Sequence, residues 1–337
     1  MFPHTVKNVE PQINERLLSH FKGEREGFIQ VGDEKWLVPA RYARHASGYY
    51  QFPLKMDDVW IMTFPRSGTT WCQELIWLLN NNLDYKKSAA VALERRSPFL
   101  EFSIIHDPKH IQDLINLNDN NPDVVAILKE RSTPGYELFK DLPNPRTIKT
   151  HLPFTLLPPT LLETNKIVYI ARHPKDVFVS YYHHNKLVTI HGYHGDMLTY
   201  WKFFKNNLVC FSPYWEHLNQ AWEHRNHPNM LFLFYENLVK DLPSGVREIA
   251  QFLNMQYSDE QFRQLVEHLQ IDNFRRRVPL YVDVEIKGIF GDTEEGFVRR
   301  GKVGGGDPEL TAELSREIDE WIEMQLQNTD LRFPDKK

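Results

Sequence analysis

Only two cysteines, Cys72 and Cys210, occur in the chain, too few for a disulfide scaffold. No Cys/His spacing fits a zinc site either, although there are fifteen histidines. Both thiols are therefore expected to be buried. No segment approaches the roughly 18 unbroken apolar residues of a membrane span. The start, Met1 to Glu15, is polar throughout and lacks the apolar stretch of a secretory leader. These absences predict a soluble, cytoplasmic protein with no membrane partner. Internal repeats, low-complexity tracts and Gly/Ser linkers are also missing, so nothing divides the chain. Its 337 residues, 41% hydrophobic and 25% charged, read as one domain over residues 51–337 with a lead-in, residues 1–50, packed on it. A formal charge of −5 lacks the basic excess of a nucleic-acid surface. It leaves room for a local basic pocket that binds a small polyanion.

The most informative stretch is Thr63-Phe64-Pro65-Arg66-Ser67-Gly68-Thr69-Thr70-Trp71, between a strand-like run, Val59 to Met62, and an apolar helix. A short turn between a strand and a helix aims unpaired N–H groups and the positive end of the helix dipole at one point, and a glycine lets a ligand approach the backbone. Arg66, Ser67, Thr69 and Thr70 add a cation and three hydroxyls, so the segment reads as an anion cradle. It lacks the first glycine and the Lys-Ser/Thr pair of the nucleotide-hydrolase loop, so the ligand is phosphate-like but the chemistry different. A Ser/Thr-rich turn also serves as a plain helix cap.

Four short apolar runs predict buried strands: Val59 to Phe64, Thr147 to His151, Ile167 to Ala171 and Met230 to Tyr235. Helical patterns alternate with them at Trp71 to Asn80, about Asp176 to Leu187, Leu242 to Leu253 and Asp259 to Leu269. Asp307-Pro308 opens a last apolar stripe. This alternation predicts an α/β fold with a central parallel sheet flanked by helices and ligands at the carboxyl ends of the strands. Lys149 and His151, two apart at a strand end, face the same cleft. Arg172 stands at another strand end and Ser180 eight residues on. Phe297-Val298-Arg299-Arg300-Gly301 offers adjacent arginines beside a glycine, a clamp for phosphate oxygens. The bland readings are a structural histidine, an Arg172–Asp176 pair and a solvated charge run. Arg275-Arg276-Arg277 reads as solvated.

Pro65-Arg66-Ser67-Gly68-Thr69-Thr70-Trp71, Lys149-Thr150-His151-Leu152-Pro153, the Arg172–Ser180 segment and the Arg299-Arg300-Gly301 loop occur in the order found in the cytosolic sulfotransferases. The chain resembles that family from about Asp57 to Pro334, and within it the insect enzymes that include retinol dehydratase. The resemblance implies transfer of a sulfuryl group from 3′-phosphoadenosine 5′-phosphosulfate (PAPS), leaving adenosine 3′,5′-bisphosphate (PAP). It makes His151 the general base, with Arg66 and Lys149 neutralising charge on the moving group. It gives the loop Arg66 to Trp71 to the 5′-phosphate and Arg172, Ser180, Arg299, Arg300 and Gly301 to the 3′-phosphate. Trp71 and Phe274 stack on adenine and Tyr235 bonds it, while Asp272 stands where many relatives carry a small hydroxyl residue. Phe64, Pro65, His184 and the stretch Ile286 to Phe290, with Lys149 and His151, are expected to line a site for a small lipophilic acceptor. No metal is required by this scheme.

Two departures stand out. Arg66 replaces the lysine of most relatives, and guanidinium hardly donates a proton, so stabilisation there is expected to be electrostatic. The segment Gly304 to Thr311, Gly-Gly-Gly-Asp-Pro-Glu-Leu-Thr, replaces the usual continuation into a dimerisation motif, so a monomer or weak homodimer is expected. A dehydratase that loses sulfate after sulfonation, and a non-catalytic carrier of lipophiles, stay open beside the transferase.

Overall fold

The computed structural model describes residues 2–280, 285–291 and 307–334. Four parallel strands form the central sheet: β4 (Val59–Met62), β5 (Thr147–Thr150), β6 (Lys166–Ala171) and β7 (Met230–Phe234), in the order β5-β4-β6-β7. The chain leaves β4, returns as β5 on one side and then as β6 on the other. The connection thus reverses direction beside β4, and a crevice opens beyond the carboxyl ends at such a switch point.

Every residue of β4 is buried because the sheet is covered on both faces. Trp60 and Met62 pack with Ile148, Ile167 and Tyr169 in the larger core, whereas Val59 and Ile61 pack with Val168 and Ile170 in a second core. This is the period-2 alternation of a strand read from two sides. Each such aliphatic side chain taken from water contributes roughly 1.5–3 kcal/mol. The helix Thr69–Asn80 lies on the second face, burying Leu75, Ile76 and Leu79.

The first fifty residues hold structure that periodicity did not reveal: an antiparallel sheet of β1 (Val6–Asn8), β2 (Phe28–Val31) and β3 (Trp36–Pro39). Ile29, Val31, Trp36 and Leu37 of these strands belong to the same core as Trp60. Leu37 also exchanges backbone bonds with Phe211 and Ser212. The last helix starts later than predicted, at Ala312, because Thr311 caps it through Leu314 N. Asp307 instead accepts from Glu309 N in a preceding turn. Both cysteines are buried, and burial pushes the Cys72 thiol up to about 12.

Candidate active site

One cavity of about 890 Å³ runs from the phosphate-type loop to an apolar wall, and Pro65, Arg66, Gly68, Thr69, Thr70, Trp71, Lys149, His151, Arg172, Ser180, His184, Tyr235 and Phe274 all line it. Its size is that of a small-molecule site. The loop reaches it through two left-handed residues, Arg66 (φ 70°) and Gly68 (φ 96°). A Cβ at position 68 would stand 2.4 Å from the Tyr235 ring, so only glycine fits. The following helix has no side-chain cap, and its first intrahelical bond runs from Cys72 N to Gly68 O. Its leading N–H groups are thus left for a ligand, as anion binding requires.

Three cationic groups surround the loop. Arg66 Nε donates to Ser180 Oγ at 3.2 Å, and its Nη1 lies 3.4 Å from His184 Nδ1. Arg172 donates through Nη1 to Arg66 O at 3.0 Å and lies 4.6 Å over the Tyr235 ring, while its buried Nε has no partner among the described residues. A buried guanidinium N–H left open is costly unless an anion takes it, so Arg172 fits a phosphate better than a helix-start pair with Asp176. Lys149 Nζ sits 4.2 Å over Phe99, and burial, reinforced by Arg66, lowers its pKa to about 8.

Four hydrogen bonds among the described residues hold His151. Its Nδ1 lies 2.8 Å from Thr63 O and 3.2 Å from Thr63 Oγ1, and Thr63 Oγ1 in turn bonds Thr69 Oγ1 at 2.7 Å. A carbonyl can only accept, so Nδ1 carries the hydrogen and Nε2 is the bare nitrogen of a neutral ring. Burial, with Lys149 adding repulsion, holds the imidazole well below its usual pKa. Its backbone N–H donates to Glu101, and its carbonyl accepts from His217 Nε2 at 3.0 Å. His217 Nδ1 accepts from Tyr169 OH at 2.8 Å.

Glu101 carried no sequence signal. It is wholly buried, also accepts from Thr150 Oγ1 at 2.8 Å, and burial raises its pKa to about 7 against those hydrogen bonds. It arrives because segment 98–100 pairs with the end of β5: Lys149 N donates to Pro98 O and Leu100 N to Lys149 O, both at 2.9 Å. The same pairing brings Phe99 and Phe102 to the cavity wall.

Several expected residues sit elsewhere. Phe64 is not acceptor lining: it is 1% exposed and packs edge-on against Tyr181, Tyr214 and His217 in the core. Ser67 is buried and does not line the cavity. Asp272 faces solvent, 82% exposed, 4.0 Å from Arg275. Two helical steps turn it away from the cavity that Phe274 faces. Trp71 donates from Nε1 to Leu269 O at 2.8 Å and packs with Phe274 in one apolar cluster. Ile286 to Phe290 do line the cavity. Arg299, Arg300 and Gly301 lie outside the described residues. Among the described residues, His183, Asp307 and Glu309 bring ligand-type atoms within 4.8 Å of one another. Those groups are already engaged, His183 with Asp307 at 2.7 Å and Glu309 with Tyr182 and Lys186. No described helix is long and apolar enough to cross a membrane.

Comparison with known proteins agrees with this geometry. The family pattern described as Sulfotransferase domain matches residues 56–330. Luciferin sulfotransferase of Photinus pyralis is 32% identical over 306 residues, 89% of this chain and 80% of that protein. Retinol dehydratase, solved with androsterone and the inactive cofactor PAP, superposes with a TM-score of 0.91 at 34% identity over 99% of both chains. Its structure with retinol and PAP gives a TM-score of 0.90 at the same identity and coverage.

Proposed function

The chain belongs to the sulfotransferase family, and on that premise we propose that it sulfonates the hydroxyl of a phenol, steroid-like alcohol or retinoid, with His151 as general base. The protein is a transferase whose donor is PAPS and whose nucleotide product is PAP. When bound, the donor supplies a sulfuryl group on a phosphate leaving group.

The observation that carries the reading is the fixed tautomer of His151. Thr63 O holds the hydrogen on Nδ1, leaving Nε2 as a neutral base in the cavity that Arg66 and Lys149 also line. An alcohol has a pKa far above neutrality, so an imidazole within reach lowers the barrier by taking its proton as the new bond forms. Arg66 and Lys149 place positive charge beside the atoms where negative charge develops. Arg66 to Trp71 would hold the 5′-phosphate, and Arg172 and Ser180, with Arg299, Arg300 and Gly301, the 3′-phosphate. Trp71, Phe274 and Tyr235 would hold the base. The apolar wall would hold the acceptor by area, which favours a lipophile. The same reading places the protein in the cytoplasm as a monomer or weak homodimer.

A second reading rests on the 34% likeness to retinol dehydratase. An allylic alcohol sulfonated at His151 could then lose sulfate and a proton to give an alkene, because its carbocation is stabilised. Incubation with labelled PAPS and a panel of phenols, sterols, retinol and amines, with products identified by mass, tests both. Sulfate esters of phenols and sterols are expected; only an anhydro product from retinol and no ester from any other acceptor would replace the first reading with the second. No labelled product at all would overturn both.

A further inference from the structure

His106 lies on the acceptor side of the chamber and takes no part in the proposed chemistry. It is 3% exposed and reaches the cavity at the end of a row of rings. His151 meets Phe99 at 5.0 Å between centroids, Phe99 meets Phe102 at 5.5 Å, and Phe102 meets His106 at 4.5 Å. His106 Nδ1 lies 2.8 Å from Phe102 O. A carbonyl only accepts, so Nδ1 carries the hydrogen and Nε2 offers a lone pair. Nε2 bonds to no described residue. Burial keeps the ring neutral, with a pKa of about 3.

A second imidazole, His191, also lines the chamber, 5.3 Å from His184, and neither of its ring nitrogens has a hydrogen-bond partner among the described residues. The guanidinium groups nearest this end are already paired, Arg131 with Glu94 and Arg41 with Glu24. The subsite is therefore polar but close to neutral. A plain hydrocarbon would bury an unpaired Nε2 there at a cost.

We propose that His106, assisted by His191, forms a second polar subsite for a hydroxyl at the far end of the acceptor, so that the preferred acceptors are apolar frames carrying two hydroxyl groups. This rests on the acceptor reading above. Because Nε2 accepts and does not donate, the subsite selects a hydroxyl over an ether or ketone oxygen. His191 lines the same chamber and adds a second neutral polar group to it.

The test is a set of para-alkylphenols of stepped chain length whose far end is a methyl, a hydroxyl or a methyl ether. Wild-type protein is expected to show, at one chain length, a kcat/KM for the hydroxyl member at least ~10-fold above the methyl ether, carried by KM because the contact is remote from the reacting atoms. His106→Phe should bring that ratio to within about threefold of one, since the ring keeps its shape and loses its acceptor. His106→Gln, which can present an amide oxygen, should restore part of it. Calorimetry of the hydroxyl and ether members on wild-type protein with PAP gives a reading free of any variant's folding. Equal turnover and equal binding of the two, or a preference untouched by His106→Phe, would overturn the subsite. If no phenol is sulfonated while calorimetry still favours the hydroxyl, the subsite stands and the acceptor reading fails.

Discussion

At the phosphate loop the backbone itself makes the site: two left-handed residues, an uncapped helix start and a glycine with no room for a methyl group lie within three positions. The acceptor wall is assembled differently, from residues 99–106, 184–191, 211 and 285–290, which share no local pattern. On the proposed reading, the first end recognises a fixed chemical group by directed hydrogen bonds, which demand a specific sequence. The second recognises apolar area, which many side-chain combinations supply equally well. Specific chemistry and permissive packing thus meet at His151 and Arg66.

The largest effects are expected where the two ends meet. His151→Ala should lower turnover by roughly 10²–10⁴-fold with PAP affinity nearly unchanged, because a general base acts on the acceptor proton. Arg66→Ala should damage both turnover and nucleotide affinity, since one guanidinium touches Ser180 and His184. Steady-state rates and calorimetry with PAP separate the two. A His151→Ala protein with near-normal turnover on an alcohol would move the base elsewhere and dissolve the division drawn here.

Next in size is the discrimination made at the nucleotide end. PAP should bind far more tightly than 5′-AMP, and Arg172→Ala should remove roughly 1.5–3 kcal/mol of that preference, the range of one charge-assisted contact. Arg172→Ala should leave 5′-AMP affinity almost alone, apart from the support that Nη1 gives Arg66 O. Equal affinities for the two nucleotides in wild-type protein would refute the assignment.

The same division explains what could be read from the chain. β4, β6 and β7 were visible as apolar runs, whereas β5, Thr-Ile-Lys-Thr, carries no such run; the loop after β4 was visible from its contiguous Arg-Ser-Gly-Thr-Thr signature. β1, Val-Lys-Asn, and β2, Phe-Ile-Gln-Val, are broken by polar residues, and β3, Trp-Leu-Val-Pro, is an apolar run as short as β4 that was missed. Glu101 was invisible for another reason: its role comes from segment 98–100 joining the edge of β5, a tertiary event. Asp272 and Phe64 were misplaced because a motif position does not say which way a side chain points. Asp272 sits on the outer face of its helix, and Phe64 turns inward into a cluster of aromatic rings.

Acid should weaken the fold through the histidines near and behind the acceptor end. His106, with a pKa near 3, His217 and His191, near 4, and His151 and His184, well below 6.5, are neutral in the fold because burial disfavours their charge. As pH falls below 6.5 the unfolded chain binds five protons that the fold refuses, and stability drops. Glu101 runs the other way: with its pKa raised from 4.5 to about 7, it is protonated in the fold where the unfolded chain is not. It therefore adds stability at low pH that is lost as pH rises through that window. Five groups against one make the net change a fall in stability as the pH drops from 7 to 5. Glu101→Gln should steepen it. Urea midpoints between pH 7 and 5 check this, and a flat profile would mean that the imidazoles are charged in the folded protein.

The smallest expected effect falls on the alkaline side and belongs to Lys149, the residue that faces both ends. Its ammonium is buried against Phe99 and repelled by Arg66, so its pKa is lowered from 10.5 to about 8 and its charge is lost as pH rises through that value. His151 sets no alkaline limb, since its neutral form is the active one and persists upward. Because kcat/KM reports the groups of the free enzyme, kcat/KM for PAPS should fall above pH 8 by about tenfold per pH unit, while the acid limb stays depressed well below pH 6.5. Lys149→Arg should abolish the alkaline limb, because guanidinium stays charged throughout, although its different shape lowers the plateau. An alkaline limb that survives in Lys149→Arg would assign the titrating group to another residue and leave Lys149 as packing beneath Phe99.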